Sequence, residues 1–65
     1  MNLLKVKEVS KMLGVTDATV RNFVKNRSIP AYTFGSVYRF DEDEVRQWIA
    51  DRRLEVKNSN VEDSE

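Results

Sequence analysis

The stretch Thr16-Asp17-Ala18-Thr19-Val20-Arg21-Asn22-Phe23-Val24-Lys25 gathers the side chains best able to do chemistry in this 65-residue chain. At helical spacing Val20, Phe23 and Val24 share one face, and Asp17, Arg21, Asn22 and Lys25 turn away from it. An arginine can chelate O6 and N7 of a guanine, an asparagine suits an adenine edge, and hydroxyls or lysines suit phosphates. The same residues would also serve as the solvated face of a short helix, so the pattern alone leaves both readings open.

Catalytic chemistry has little to work with. The chain contains no cysteine and no histidine. That excludes a disulfide framework, the usual zinc sites, and any Cys/His or Ser/His nucleophile pair. Carboxylates cluster only at Asp41-Glu42-Asp43-Glu44, where Asp41 reads as a helix N-cap, Glu44 falls at the capping-box position, and all four charges favour a helix N-terminus. The two glycines, Gly14 and Gly35, stand alone, so no phosphate-binding loop is present. The chain reads as a non-enzyme with no cofactor and no metal.

The elements that must position the first stretch follow from its flanks. Val6, Val9, Met12 and Leu13 repeat at helical spacing and Gly14 follows as a left-handed cap, predicting a helix from about Val6 to Leu13. Thr16 is a good N-cap for a second helix over about Asp17–Lys25, and Asn26 is placed to take the left-handed position that ends it. Only Gly14, Val15 and Thr16 separate the two, which predicts a steep crossing as in a helix-turn-helix. Ile29-Pro30 breaks the pattern. Ala31–Phe34 and Val37–Phe40 then read as two strands of a hairpin around Gly35-Ser36, with a type II′ turn. Alternation is expected to put Tyr32, Phe34, Tyr38 and Phe40 on one face and Thr33, Val37 and Arg39 on the other. Val45, Trp48 and Ile49 give a third helix its apolar face, ending near Arg52-Arg53. Phe23, Phe34, Tyr38, Phe40 and Trp48 are expected to close the core.

The formal net charge is zero, but it is unevenly distributed. Residues 1–30 carry six cations against two carboxylates, +4; residues 31–53 carry −1 and residues 54–65 carry −3. Such asymmetry is a hint of a nucleic-acid surface joined to an acidic tail, although uneven surface charge also arises without a partner. A chain this short buries only about 60% of its unfolded surface, and residues 54–65 have too few apolar side chains to repay ordering. The expectation is one domain over residues 1–53 and a disordered acidic tail or linker over 54–65. No apolar run approaches the length of a membrane span and the amino terminus lacks a secretory apolar region, so no membrane partner and a cytoplasmic location are expected.

The order helix, tight turn, helix, hairpin, helix predicts an α+β, mainly α fold: a winged helix-turn-helix with a two-stranded hairpin wing and a third helix. The residues Leu4-Lys5-Val6-Lys7-Glu8-Val9, Leu13-Gly14-Val15-Thr16, Thr19-Val20-Arg21, Ile29-Pro30-Ala31, Gly35 and Tyr38-Arg39-Phe40 resemble the excisionase-type branch of the MerR-like DNA-binding domains. The likeness covers residues 3 to about 50. It implies a double-stranded DNA binder, acting as an excision factor, a small regulator or an architectural protein that bends DNA. It makes Thr16 to Lys25 the recognition helix, with Thr16, Asp17, Ala18, Thr19, Arg21, Asn22 and Lys25 facing DNA, and it matches Arg39 to an arginine of the family wing. Lys5, Lys7 and Ser36 are further candidate phosphate contacts. Further copies of the chain, or a recombinase or regulator on the same DNA, are the expected additional partners.

The sequence departs from the family pattern in three ways. Thr33, Ser36 and Val37 stand where cations are common along the hairpin, Lys5 where a serine or threonine usually caps the first helix, and Arg27 where glycine is common after the recognition helix. The wing is therefore poor in positive charge: it either enters the minor groove lightly or leaves binding to the first two helices. Arg39 has an alternative role in pairing with Asp41 or Glu44. The competing function is a protein-interaction module of the same fold, such as a small subunit of a DNA packaging or recombination complex.

Overall fold

Helix α1, Val6–Leu13, begins without a side-chain cap because Lys5 at the N-cap position has no acceptor atom. The reciprocal arm of a capping box is nonetheless made: Glu8 Oε1 accepts the Lys5 backbone N–H at 2.7 Å. Gly14 ends the helix in the left-handed region, φ 72°, and the Gly14 and Val15 N–H groups both donate to the Ser10 carbonyl at 2.8 and 3.0 Å. The computed structural model describes residues 2–54; apart from Leu54, the expected tail lies outside them.

Helix α2, Asp17–Lys25, follows directly, and Thr16 Oγ1 accepts the Thr19 N–H at 3.2 Å as the N-cap. Its C-terminus departs from the expected ending. Asn26 stays right-handed, φ −84°, with its N–H still donating to Asn22 O, and the left-handed residue is Arg27, φ 58°. The helical ladder runs one residue further than Asn26 alone suggested. Arg27 N–H then bonds Val24 O at 3.0 Å and Ser28 N–H bonds Phe23 O at 2.9 Å, a Schellman closure. Holding a non-glycine residue there costs about 1 kcal/mol relative to glycine.

Strand β2, Tyr32–Phe34, and strand β3, Val37–Asp41, form the expected hairpin around Gly35-Ser36. Gly35 has φ 67° and Ser36 does not have a positive φ, the signs a type II′ turn requires. Two features of the sheet differ from expectation. Leu3–Leu4 forms strand β1, antiparallel to β3 through Leu3↔Asp41 and Leu4↔Phe40, so the order is β1-β3-β2. Two residues are too few to show a strand period. The faces of the hairpin also sort differently: Tyr32 pairs with Arg39, Thr33 with Tyr38, and Phe34 with Val37. Opposed residues share a face, so Tyr32, Phe34, Val37 and Arg39 lie together and Thr33, Tyr38 and Phe40 lie on the other side. A two-residue loop makes its flanking residues a pair, which reverses the parity expected for Tyr32 and Phe34. Phe34 is accordingly 57% exposed and is not a core residue.

Helix α3, Glu42–Asp51, starts immediately after β3, with Asp41 Oδ2 accepting the Glu44 N–H at 3.1 Å and three carboxylates in its first turn. The core is Val9, Val20, Phe40 and Val45, one side chain each from α1, α2, β3 and α3, with Ile29 from the connection between α2 and β2. Trp48 and Phe23 pack against it with ring centroids 5.4 Å apart. Trp48 Nε1–H donates to Ser28 O, Arg52 Nη2 reaches the same carbonyl at 3.1 Å, and the guanidinium lies 4.0 Å over the Trp48 ring. This group fixes the end of α2 to α3. The architecture is a winged helix-turn-helix, with three helices and a three-stranded antiparallel sheet.

Candidate nucleic-acid interface

Folding brings three segments distant in sequence to one groove of about 460 Å³. The start of α1 supplies Lys5, Val6 and Lys7, the first half of α2 supplies Asp17 and Arg21, and the wing supplies Ser36, Val37, Tyr38 and Arg39. The core dictates this arrangement. Val9 of α1, Val20 of α2 and Phe40 of β3 are fully buried against one another's elements, so the polar residues beside them converge on the same outer edge. Four cations meet one carboxylate there, and attraction for a polyanion follows.

Six of the eleven sequence-predicted residues lie in that groove: Lys5, Lys7, Asp17, Arg21, Ser36 and Arg39. Lys25 lies instead in a second cleft, with Arg27, Pro30 and Thr33. Ala18 and Asn22 are exposed and four residues apart, a spacing that puts them on one stripe of α2. Thr16 and Thr19 hydrogen-bond each other at 3.0 Å through their hydroxyls, so both serve the start of α2 and are less free for a ligand than the sequence suggested.

Arg39 forms neither of the ion pairs weighed for it. Its Nη1 donates to the Tyr38 carbonyl at 2.8 Å, and the only salt bridge among the described residues joins Arg46 and Glu42 at 2.7 Å. Asp41 instead caps α3, its Oδ2 accepting the Glu44 N–H at 3.1 Å. Glu42 is occupied elsewhere. Hydrogen bonds from Arg46 and Asn2, with the positive charge of Arg46, hold its carboxyl below the ordinary value of 4.5. The acidic run is thus engaged in starting α3 and tying it to the amino terminus. Among the described residues no group of three or more carboxylates, histidines or cysteines is placed to hold a metal ion, and no helix is long and apolar enough to cross a membrane.

Sequence reasoning missed two contributors. Tyr38 lines both the groove and the second cleft while also packing against the core, a double role that its expected place in the core did not signal. Arg27, which in sequence only departs from a common glycine, is an exposed cation in the second cleft.

A family model described as a helix-turn-helix domain matches residues 3–53, which takes in every element from β1 to α3. The match supports DNA binding. Comparison with curated proteins and with solved structures gives no match.

Proposed function

Given that the chain belongs to the helix-turn-helix domain family, we propose that it binds double-stranded DNA with α2 in the major groove and the wing on the adjacent backbone or minor groove. The observation that carries this reading is the groove in which Lys5, Lys7, Arg21 and Arg39 converge from three elements. An α-helix fits the major groove, and cations flanking it can meet the phosphates on its walls. In this reading Arg21 and Asn22 address base edges. Lys5, Lys7, Lys25, Ser36 and Arg39 address phosphates, while Thr16, Asp17, Ala18 and Thr19 line the start of the recognition helix. Residues 1–53 form the binding unit and residues 54–65 an acidic tail or linker.

The role proposed is that of an excisionase-type, MerR-like small regulator or architectural factor. A lone domain with about four phosphate contacts binds non-specific duplex only at about 10⁻⁴–10⁻⁶ M at physiological salt. Tight occupancy then requires further copies side by side, or a recombinase or regulator on the same DNA.

A second reading, a protein-interaction module of the same fold, is favoured by one observation. The cross-strand pair Phe34 and Val37 at the wing tip is exposed, at 57% and 42%, where a phosphate clamp would carry cations. A salt titration on random duplex separates the two. Four phosphate contacts predict a log–log slope of about −3.6, an affinity loss of about 150-fold between 50 and 200 mM salt. Amide chemical-shift changes on adding duplex should fall on α2, the start of α1 and β3. The absence of both would favour the protein-interaction reading.

A further inference from the structure

We propose that Arg27, with Lys25, forms a second phosphate-binding site at the C-terminal end of α2, so that the recognition helix is flanked at both ends by cations that grip DNA. The inference rests on the DNA-binding reading above and extends it to a residue that reading does not use.

The site is a cleft of about 560 Å³ between the end of α2 and β2, in which Lys25 and Arg27 face Pro30, Thr33 and Tyr38. Both cations are exposed, and among the described residues no carboxylate lines the cleft. The one salt bridge among the described residues involves neither, so their charge is available to an outside anion. Tyr38 is the shared wall between this cleft and the groove at the other end of α2. Along the two together run six cations, Lys5, Lys7, Arg21, Lys25, Arg27 and Arg39, against Asp17 alone. The nine residues of α2 span about 13 Å, so a helix seated in the B-DNA major groove holds its two ends near different phosphates of the bordering strands. Cations at both ends of such a helix can therefore meet phosphates on both walls.

The backbone of Arg27 adds an independent observation. Its left-handed φ of 58° is set by the closure of α2, whose two hydrogen bonds come from backbone atoms and need no side chain. Glycine would satisfy that closure without steric cost. Among the described residues the guanidinium has no ion-pair partner that would offset the unfavourable conformation. A strained residue with no ion-pair partner among the described residues points to an external one, and an arginine beside a lysine suits a DNA backbone phosphate.

The substitution Arg27→Gly tests this, because it removes the charge while relieving the backbone. The full chain is titrated with a preferred and a scrambled duplex at several salt concentrations, alongside Arg27→Lys and thermal melts of each variant. Arg27→Gly should melt at or above the wild-type temperature. It should bind both duplexes about fivefold more weakly at 0.15 M salt, with a log–log slope shallower by about 0.9. Arg27→Lys should keep the wild-type slope. An Arg27→Gly variant with a wild-type slope and affinity would overturn the second site while leaving DNA binding through the first groove intact. A wild-type chain that binds neither duplex would overturn both.

Discussion

Replacing Arg21 with alanine probes the groove most directly. Arg21 is exposed, lies beside Lys5, Lys7 and Arg39, and makes no ion pair with Asp17 four residues earlier. The helix gains a better former and loses no buried contact, so the change in folding stability should stay within about 0.5 kcal/mol. Binding is another matter. An arginine that chelates a guanine contributes about 1–3 kcal/mol of discrimination, so the ratio of affinities for a preferred and a scrambled duplex should fall by about 5- to 160-fold. If Arg21 met only a phosphate, both duplexes would lose the same factor, about fivefold at 0.15 M salt, and the ratio would not move. The assay is a fluorescence-anisotropy titration of each duplex, preceded by a melt showing that the variant is folded. Equal losses would refute base reading by α2 and leave it a positioning element. No loss on either duplex would refute the groove as the interface.

Three further outcomes follow from the same contacts. Arg39→Ala should weaken binding to every sequence alike and make the salt slope shallower by about 0.9, as read in the same titrations; a sequence-dependent loss would move Arg39 from phosphate to base. Thr16→Ala removes the hydroxyl that accepts the Thr19 N–H, costing about 1 kcal/mol and lowering the melting temperature by about 4–8 °C; an unchanged melt would mean that this cap is dispensable. Glu42, whose carboxyl is held low by Arg46 and Asn2, stabilises the fold above the unfolded value of about 4.5, and that contribution is lost as pH falls through the lower folded value. Thermal melts of wild type and Glu42→Gln should therefore converge at acid pH, by a small margin because the partners are solvent-screened; a gap that widens on acidification would contradict the assignment.

Local chemistry settled the helices from the sequence alone. Val6–Leu13 and Asp17–Lys25 are bounded as periodicity and capping predict, since a threonine N-cap and a glycine C-cap act within one turn of the residues they serve. The acidic run was legible as the start of α3 for the same reason. The hairpin turn is legible too, but the faces of its strands are not, because parity across the loop depends on which residues pair. Tertiary structure decided the rest. Leu3–Leu4 is a strand only because β3 offers it an edge, and no two-residue segment carries that information by itself. The expectation of a left-handed Asn26 fails because the closure of α2 onto Phe23 and Val24 puts the left-handed residue at Arg27. The groove belongs to no single segment. Burying Val9, Val20 and Phe40 in one core carries Lys5, Arg21 and Arg39 to a common edge, and burial of side chains from distant segments acts across a separation that local patterns of sequence do not encode.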